Sequence, residues 1–406
     1  MNQNAHEPAS LPVPAADARQ ASAQLVAHIR DAIAAGAGWL PFDRYMELAL
    51  YTPGLGYYSG GARKFGRRAE DGSDFITAPE LSPLFARTLA RALAQALETS
   101  GTCQLMEFGA GTGRLAAGIL AALDALGVSI DTYAIVDLSG ELRERQRQTI
   151  EAFGGPLASR VRWLDALPAQ FEGVVLGNEV LDAMPVQLYA RTGGVWRARG
   201  VGLSEAGALR FEARALGAPG VQLSNEDAAV LAQLDAEIDP DVDYVAETHG
   251  AGAGFTRTVC SMLTRGAAFF IDYGFPRAEY YHPQRTEGTL MCHYRHHAHG
   301  DPFLYPGLQD ITAHVEFTRI AEAGVETGVD LLGYTSQARF LMNAGITDVL
   351  SEIDPSDAAN FLPAANAVQK LLSEAEMGEL FKVIAFSRGI EGTLDAFSRG
   401  DRSHTL

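Results

Sequence analysis

Four residues in one short run, Glu107, Gly109, Gly111 and Gly113, have the types and spacing to cradle a ligand. They follow an apolar strand pattern that begins at Cys103 and lead at once into a helix pattern over residues 115–123. Glycine serves where a backbone turns tightly and lets a ligand approach with no Cβ in the way, and the helix that follows offers unpaired N–H groups in its first turn. That combination makes a nucleotide cradle. The run is not G-x-G-x-x-G, because the sixth position counted from Gly109 is Arg114, so a pyrophosphate fit is not indicated. The competing reading is a glycine-rich strand-to-helix turn of any doubly wound domain.

Further polar residues fall at the ends of the strands that must surround this turn. A second strand over 132–138 carries Asp137 near its tip, where one carboxylate can accept both vicinal hydroxyls of a ribose. Leu138 and Ser139 continue that tip and are counted with it. A third strand over 161–164 ends at Asp165, placed to accept a hydrogen bond from an adenine amino group. A fourth, over 173–177, meets Asn178-Glu179-Val-Leu-Asp182-Ala-Met-Pro. Ligands in open α/β sheets bind at the carboxyl ends of the strands, which is where these residues gather. The segment from Asp74 to Glu80, with Thr77 inside it, puts polar and aromatic groups in one short loop and is expected to lie across the same pocket.

Around these strands the chain divides by pattern. Residues 1–17 lack periodicity and read as a disordered arm, and 18–100 as a helical extension with helices over 21–35, 42–50 and about 82–97. Thr77 or Ser82 could cap the third of these. The core spans 101–390. Short strand-like segments at 186–191, 195–202 and 209–215 read as an antiparallel insert within about 186–250, and a helical insert occupies about 345–378. A core strand over 266–272 precedes a long polar loop, 275–310, and then a helix over 311–323 on which His314 and Glu316 flank a core face. The last strand covers 380–387, and 391–406 form a tail.

Composition narrows the class. The 406 residues are 47% hydrophobic and 20% charged, enough for a large core. A net charge of −18 argues against a nucleic-acid partner and suits a basic substrate. Cys103, Cys260 and Cys292 are too few and too far apart for a disulfide framework. No apolar stretch is long enough to insert in a membrane, and the first residues lack both a signal-peptide pattern and an arginine-rich presequence. The expected address is the cytoplasm of a bacterium. His293, His296, His297 and His299 read as a solvated or substrate-facing loop, and no metal site is expected.

Taken in order, residues 45–59, Asp74-Phe-Ile-Thr-Ala-Pro-Glu-Leu-Ser, the Glu107–Gly113 run, Asn178-Glu-Val-Leu-Asp-Ala-Met-Pro, Asp272-Tyr-Gly and Gln309-Asp-Ile-Thr-Ala-His-Val-Glu-Phe resemble the MidA-like S-adenosylmethionine-dependent methyltransferases. Six motifs match in order over about 40–390. The departure is Asp137, where the family usually has Glu. The resemblance implies a class I methyltransferase core, Rossmann-like and doubly wound on a mostly parallel sheet, with the N-terminal extension, antiparallel insert and helical insert read above. It also implies S-adenosyl-L-methionine as cofactor, S-adenosyl-L-homocysteine as product, and Glu107 facing the methionine end.

The family's activity further implies symmetric dimethylation of a protein arginine, on a respiratory complex I subunit beside the quinone site. Glu179 would then hold the guanidinium while Asp182 assists or takes the released proton, and their spacing of three suggests one face of a helical turn. The plainer alternative has Asp182 capping a helix and Glu179 solvated. Two other functions stay open: a complex I assembly chaperone without turnover, and a small-molecule methyltransferase. Intact Glu179 and Asp182 favour catalysis, and the large inserts favour a protein substrate.

Overall fold

The computed structural model describes residues 11–60, 77–137 and 140–406. Helices α1 (Ala16–Ala35) and α2 (Phe42–Tyr51) come first, then a single turn α3 (Ala78–Leu81) and the long α4 (Pro83–Ser100). The core alternates through β1 (Gln104–Phe108), α5 (Arg114–Ala125), β2 (Thr132–Val136), α6 (Gly140–Phe153), β3 (Val161–Leu164) and β4 (Phe171–Asn178). The first insert holds β5 (Gln187–Thr192), β6 (Val195–Leu203), β7 (Leu209–Ala215), α7 (Asn225–Glu237) and β8 (Tyr244–Thr248). Helix α8 (Gly250–Met262) returns the chain to the core at β9 (Leu263–Phe275), followed by α9 (Arg277–Tyr280), β10 (Met291–Tyr294), β11 (His297–His299), β12 (Asp310–Thr312) and β13 (Val315–Glu316). Then come α10 (Phe317–Val325), β14 (Asp330–Ser336), α11 (Gln337–Asn343), α12 (Ile346–Ser351), α13 (Ala358–Leu372) and β15 (Phe381–Arg388).

The principal sheet runs β14-β15-β9-β4-β1-β2-β3, with β13 beside β9. From β3 to β9 all neighbours are parallel, and β15 lies antiparallel between β9 and β14. Helices cover both faces, so the central strands are apolar throughout. In β9, Ala267, Phe269 and Ile271 join the core under α4 and α5, while Ala268 and Phe270 join the core under α8 and α10. Each buried phenylalanine contributes about 1.5–3 kcal/mol of transfer free energy, which makes this strand pair-wise indispensable to both layers. The chain leaves β1 towards β2 on one side and has β4 on the other, which opens a crevice at their carboxyl ends.

The extension is tied to the inserts and not only to the core. Strands β5 to β8 of the first insert form a four-stranded sheet, and Leu25, Ile29 and Ile33 of α1 and Phe42, Tyr45 and Met46 of α2 pack with its Leu188 and Val201, with Val186 just before it, and with Cys292 and Ile311. Helix α4 starts where Ser82 Oγ accepts from the Leu84 N–H at 3.1 Å and Pro83 occupies the first helical position. Thr77, the other cap considered, makes no side-chain cap on α3.

Two expectations need correction. Residues 275–310 are not one long loop, since β10 pairs antiparallel with β11 and β12, and the histidines at 293, 297 and 299 sit on that small sheet. Residues 311–316 are not helical. Ile311 pairs with Cys292 and Val315 with Gly274, so the helix begins only at Phe317, where Glu316 caps it by accepting from the Arg319 N–H at 3.1 Å. Pairing partners far away in sequence overrode the local helical spacing.

Candidate active site

The turn after β1 carries Gly109, Gly111 and Gly113 at φ +65°, +53° and +82°, a left-handed region that side chains disfavour. Space matters as well. A Cβ on Gly113 would lie 2.9 Å from the Gln146 Cα, and one on Gly109 would lie 3.2 Å from Val180 Cγ2. The turn is thus pressed between α6 and the segment after β4. It borders a cavity of about 590 Å³, within the usual range for ligand pockets.

Most of the residues read from the sequence meet there. Glu107, Gly109, Gly111, Asp137, Asp165, Asn178, Glu179, Asp182 and Thr77 all line the cavity. Gly113 supports the turn from behind. Asp74, Leu138 and Ser139 lie outside the described residues. The segment 77–80 does border the cavity, and its Glu80 is anchored to the glycine turn by the Thr112 hydroxyl at 2.5 Å and by the Arg114 guanidinium at 3.1 Å.

The cofactor-side acids have distinct settings. Glu107 is buried, accepts from the Tyr133 hydroxyl at 2.8 Å, and is pushed up to about 7 chiefly by burial. Asp137 accepts from the Gln146 side-chain amide at 2.7 Å. The same amide reaches the Gly111 carbonyl at 3.2 Å, and the Gln146 oxygen accepts from the Trp163 indole at 2.9 Å. Gln146 therefore fixes both the glycine turn and Asp137, a role that no motif announces. Asp165 is exposed and pairs with Arg143 at 2.5 Å.

At the end of β4 the expected helical turn does not form. Glu179 sits at φ +54° and its N–H donates to the Ile271 carbonyl at 2.8 Å. Asp272 Oδ2 then accepts from the N–H groups of Val180, Leu181 and Asp182 at 3.1, 2.9 and 3.3 Å. Three successive amides converging on one carboxylate form a nest, which holds a conformation that a non-glycine residue adopts only at a cost of about 1–3 kcal/mol. Asp272 belonged to a motif read in the sequence, but its bracing role depends on a strand ninety residues further on.

This brace gathers three carboxyls. Burial, then the Asp182 charge, pushes Glu179 up to about 8, and burial raises Asp182 to about 6 against the lowering hydrogen bond of Tyr273. Asp272 is raised by burial and by both neighbours. The Asn178 amide donates to Glu179 at 3.0 Å, while Asn178 Oδ1 and Asp182 Oδ1 are buried without a hydrogen-bond partner. Among the described residues lining the cavity there is no Lys, Arg or His. The described residues thus leave these oxygens open to a cation or hydrogen-bond donor.

The chain is also similar to known proteins. A family model described as "Putative S-adenosyl-L-methionine-dependent methyltransferase" matches residues 85–335. The chain belongs to this family. A Burkholderia thailandensis protein crystallised with S-adenosyl-homocysteine is 70% identical to this methyltransferase, with a TM-score of 0.93 over 98% of this chain and all of that one. Among curated relatives, the mouse mitochondrial protein arginine methyltransferase NDUFAF7 is 29% identical over 86% of this chain and 81% of its own. The Caenorhabditis elegans homologue is 25% identical over 76% and 74%. The cofactor of this methyltransferase is S-adenosyl-L-methionine. An acid at the tip of each of β1 and β2, a glycine turn and the extent of the cavity all fit it.

Proposed function

We propose that this methyltransferase modifies an arginine of a protein. The observation that carries the reading is the pair Glu179 and Asp182, held at the cavity by Asp272 with no cationic side chain among the described lining residues. The relatives named protein arginine methyltransferase support it. The motif resemblance adds symmetric dimethylation and a respiratory complex I subunit near the quinone site as substrate, and the reading of composition and cysteines adds the bacterial cytoplasm as the place.

When bound, S-adenosyl-L-methionine supplies an electrophilic methyl group. Asp137 would accept from its ribose hydroxyls and Asp165 from its adenine amino group, and Glu107 would face the cationic methionine end with Asn178 and Thr77 along the wall. Glu179 accepts from two guanidinium N–H groups and localises positive charge on those nitrogens, which leaves the third nitrogen's lone pair free for attack. Asp182, once ionised, takes the proton that the attacking nitrogen sheds as its bond to the methyl carbon forms, so the methylated side chain leaves as a monocationic guanidinium. Both carboxyls stand high in the free protein, and an arriving guanidinium draws them into the ionised form.

The test supplies the purified protein and labelled S-adenosyl-L-methionine to an extract from cells lacking this chain. The expected outcome is label in methylarginine of a respiratory subunit, identified by mass spectrometry. Label confined to small molecules or to other amino acids overturns the reading.

A further inference from the structure

The extension places two tyrosines, Tyr51 of α2 and Tyr58 just after it, in the wall of the cavity on the side of Glu179 and Asp182. Their rings stack, with centroids 5.5 Å apart and planes at 20°. Each hydroxyl has one proton and two lone pairs. Tyr51 gives its proton to the Ala183 carbonyl at 2.8 Å. Tyr58 gives its proton to Asp310, lying 3.0 Å from both carboxylate oxygens. Burial holds both phenols far above their usual range, so neither loses that proton.

Neither partner is an accident of the surface. Ala183 follows the Asp182 turn directly, and the Asp182 carbonyl accepts from the Ala313 N–H at 3.0 Å. Asp310 is buried in β12, opposite His293 of β10, and also accepts from the Ile311 N–H at 3.0 Å. With both protons committed away from the cavity, only oxygen lone pairs remain for a ligand. Asp182 Oδ1, buried and without a hydrogen-bond partner, adds another acceptor on the same side. The wall is therefore built of acceptors, and it complements a ligand that has several donors and no acceptor. An ammonium meets that description with three N–H groups, but a guanidinium offers five in a flat fork and so can reach the carboxylates and both phenols together.

We propose that Tyr51 and Tyr58 are acceptor-binding residues that select the guanidinium, receiving N–H groups that Glu179 and Asp182 leave free. This inference rests on the arginine reading above. Asp310 acts through Tyr58 as a positioning residue, setting which way the phenolic proton points.

The experiment uses the full chain saturated with S-adenosylhomocysteine and measures binding of N-acetylarginine amide and N-acetyllysine amide by ligand-observed NMR. Wild type should bind the arginine compound in preference to the lysine compound. Tyr51→Phe and Tyr58→Phe keep the rings, and each should weaken arginine binding by roughly tenfold while S-adenosylhomocysteine affinity stays put; the thermal midpoint should fall, because the Ala183 carbonyl or the buried Asp310 carboxylate loses a donor. Asp310→Leu retains both tyrosines but removes the acceptor of the Tyr58 proton, which frees that O–H to turn towards the cavity; arginine binding should weaken there too. Unchanged arginine affinity in the two Phe variants overturns this inference and leaves the arginine reading standing. Wild-type protein that binds neither compound overturns both.

Discussion

The Gln146 side-chain amide donates to the Asp137 carboxylate at 2.7 Å while the same amide reaches the Gly111 carbonyl. One buried side chain thus registers the second strand tip against the glycine turn, and these are the two places where the cofactor's ribose and methionine portions would be held. Gln146→Leu should weaken S-adenosylhomocysteine binding by about tenfold, roughly 1.4 kcal/mol, because Asp137 and the turn each lose their alignment. Calorimetric titration reads it directly. Affinity within twofold of wild type would show that Asp137 needs no such support.

Asp272 is predicted to matter for folding and rate together. Asp272→Ala leaves the buried N–H groups of Leu181 and Asp182, and that of Val180, without their acceptor, at about 1–3 kcal/mol for a buried unpaired group. Denaturant melts should show a loss of about 3 kcal/mol or more for Ala, on that same principle, and a smaller loss for Asn, which keeps one acceptor oxygen.

Glu179→Gln keeps shape and removes charge. Cofactor affinity and thermal midpoint should change little near neutral pH, where the Glu179 carboxyl of the free protein already holds its proton. Arginine methylation should fall by at least tenfold, each tenfold being about 1.4 kcal/mol of transition-state stabilisation. A steady-state assay with turnover preserved in the Glu179→Gln, Asp182→Asn double variant would move the chemistry elsewhere.

The raised acids also set a pH dependence. Glu179 at about 8, Glu107 at about 7 and Glu316 at about 7 all bind their protons more tightly folded than unfolded, so the stability they contribute is complete below about 4.5 and is lost as pH rises through 7 to 8. His249, lowered to about 3, and His314, lowered to about 4, act oppositely, but their contribution is lost only as pH falls below about 6.5. Between pH 6.5 and 8.5 the acids therefore dominate, and the thermal midpoint of the cofactor-free protein should fall across that window. Glu179→Gln should flatten the fall, as scanning calorimetry at several pH values would record.

What the sequence disclosed was local chemistry. Glu107, the glycines, Asp137 and Asn178 lie at strand tips, where apolar runs and turn residues mark position without reference to the rest of the chain. What it hid was set by distant partners. The left-handed Glu179 turn follows from Asp272, and a spacing of three suggested a helix because nothing nearby reveals that three amides point at a carboxylate on another strand. Gln146 sits in a helix rich in Arg and Glu with no motif around it, and only the approach of α6 to the turn gives it meaning. The small histidine-bearing sheet was unreadable for the same reason: β10, β11 and β12 have only three or four residues each, too few to show alternation.

The position of β15 bears on how this molecule is made. The strand lies between β9 and β14, so those two, synthesised earlier, touch in the sheet only through a neighbour that emerges from the ribosome after them. Until Phe381–Arg388 is available, one edge of β9 and the whole of β14 present unpaired amides and carbonyls. The nascent chain thus carries an open sheet edge from the completion of β9 to that of β15, a state in which a chaperone has a defined edge to shield and a premature stop has a defined way to aggregate.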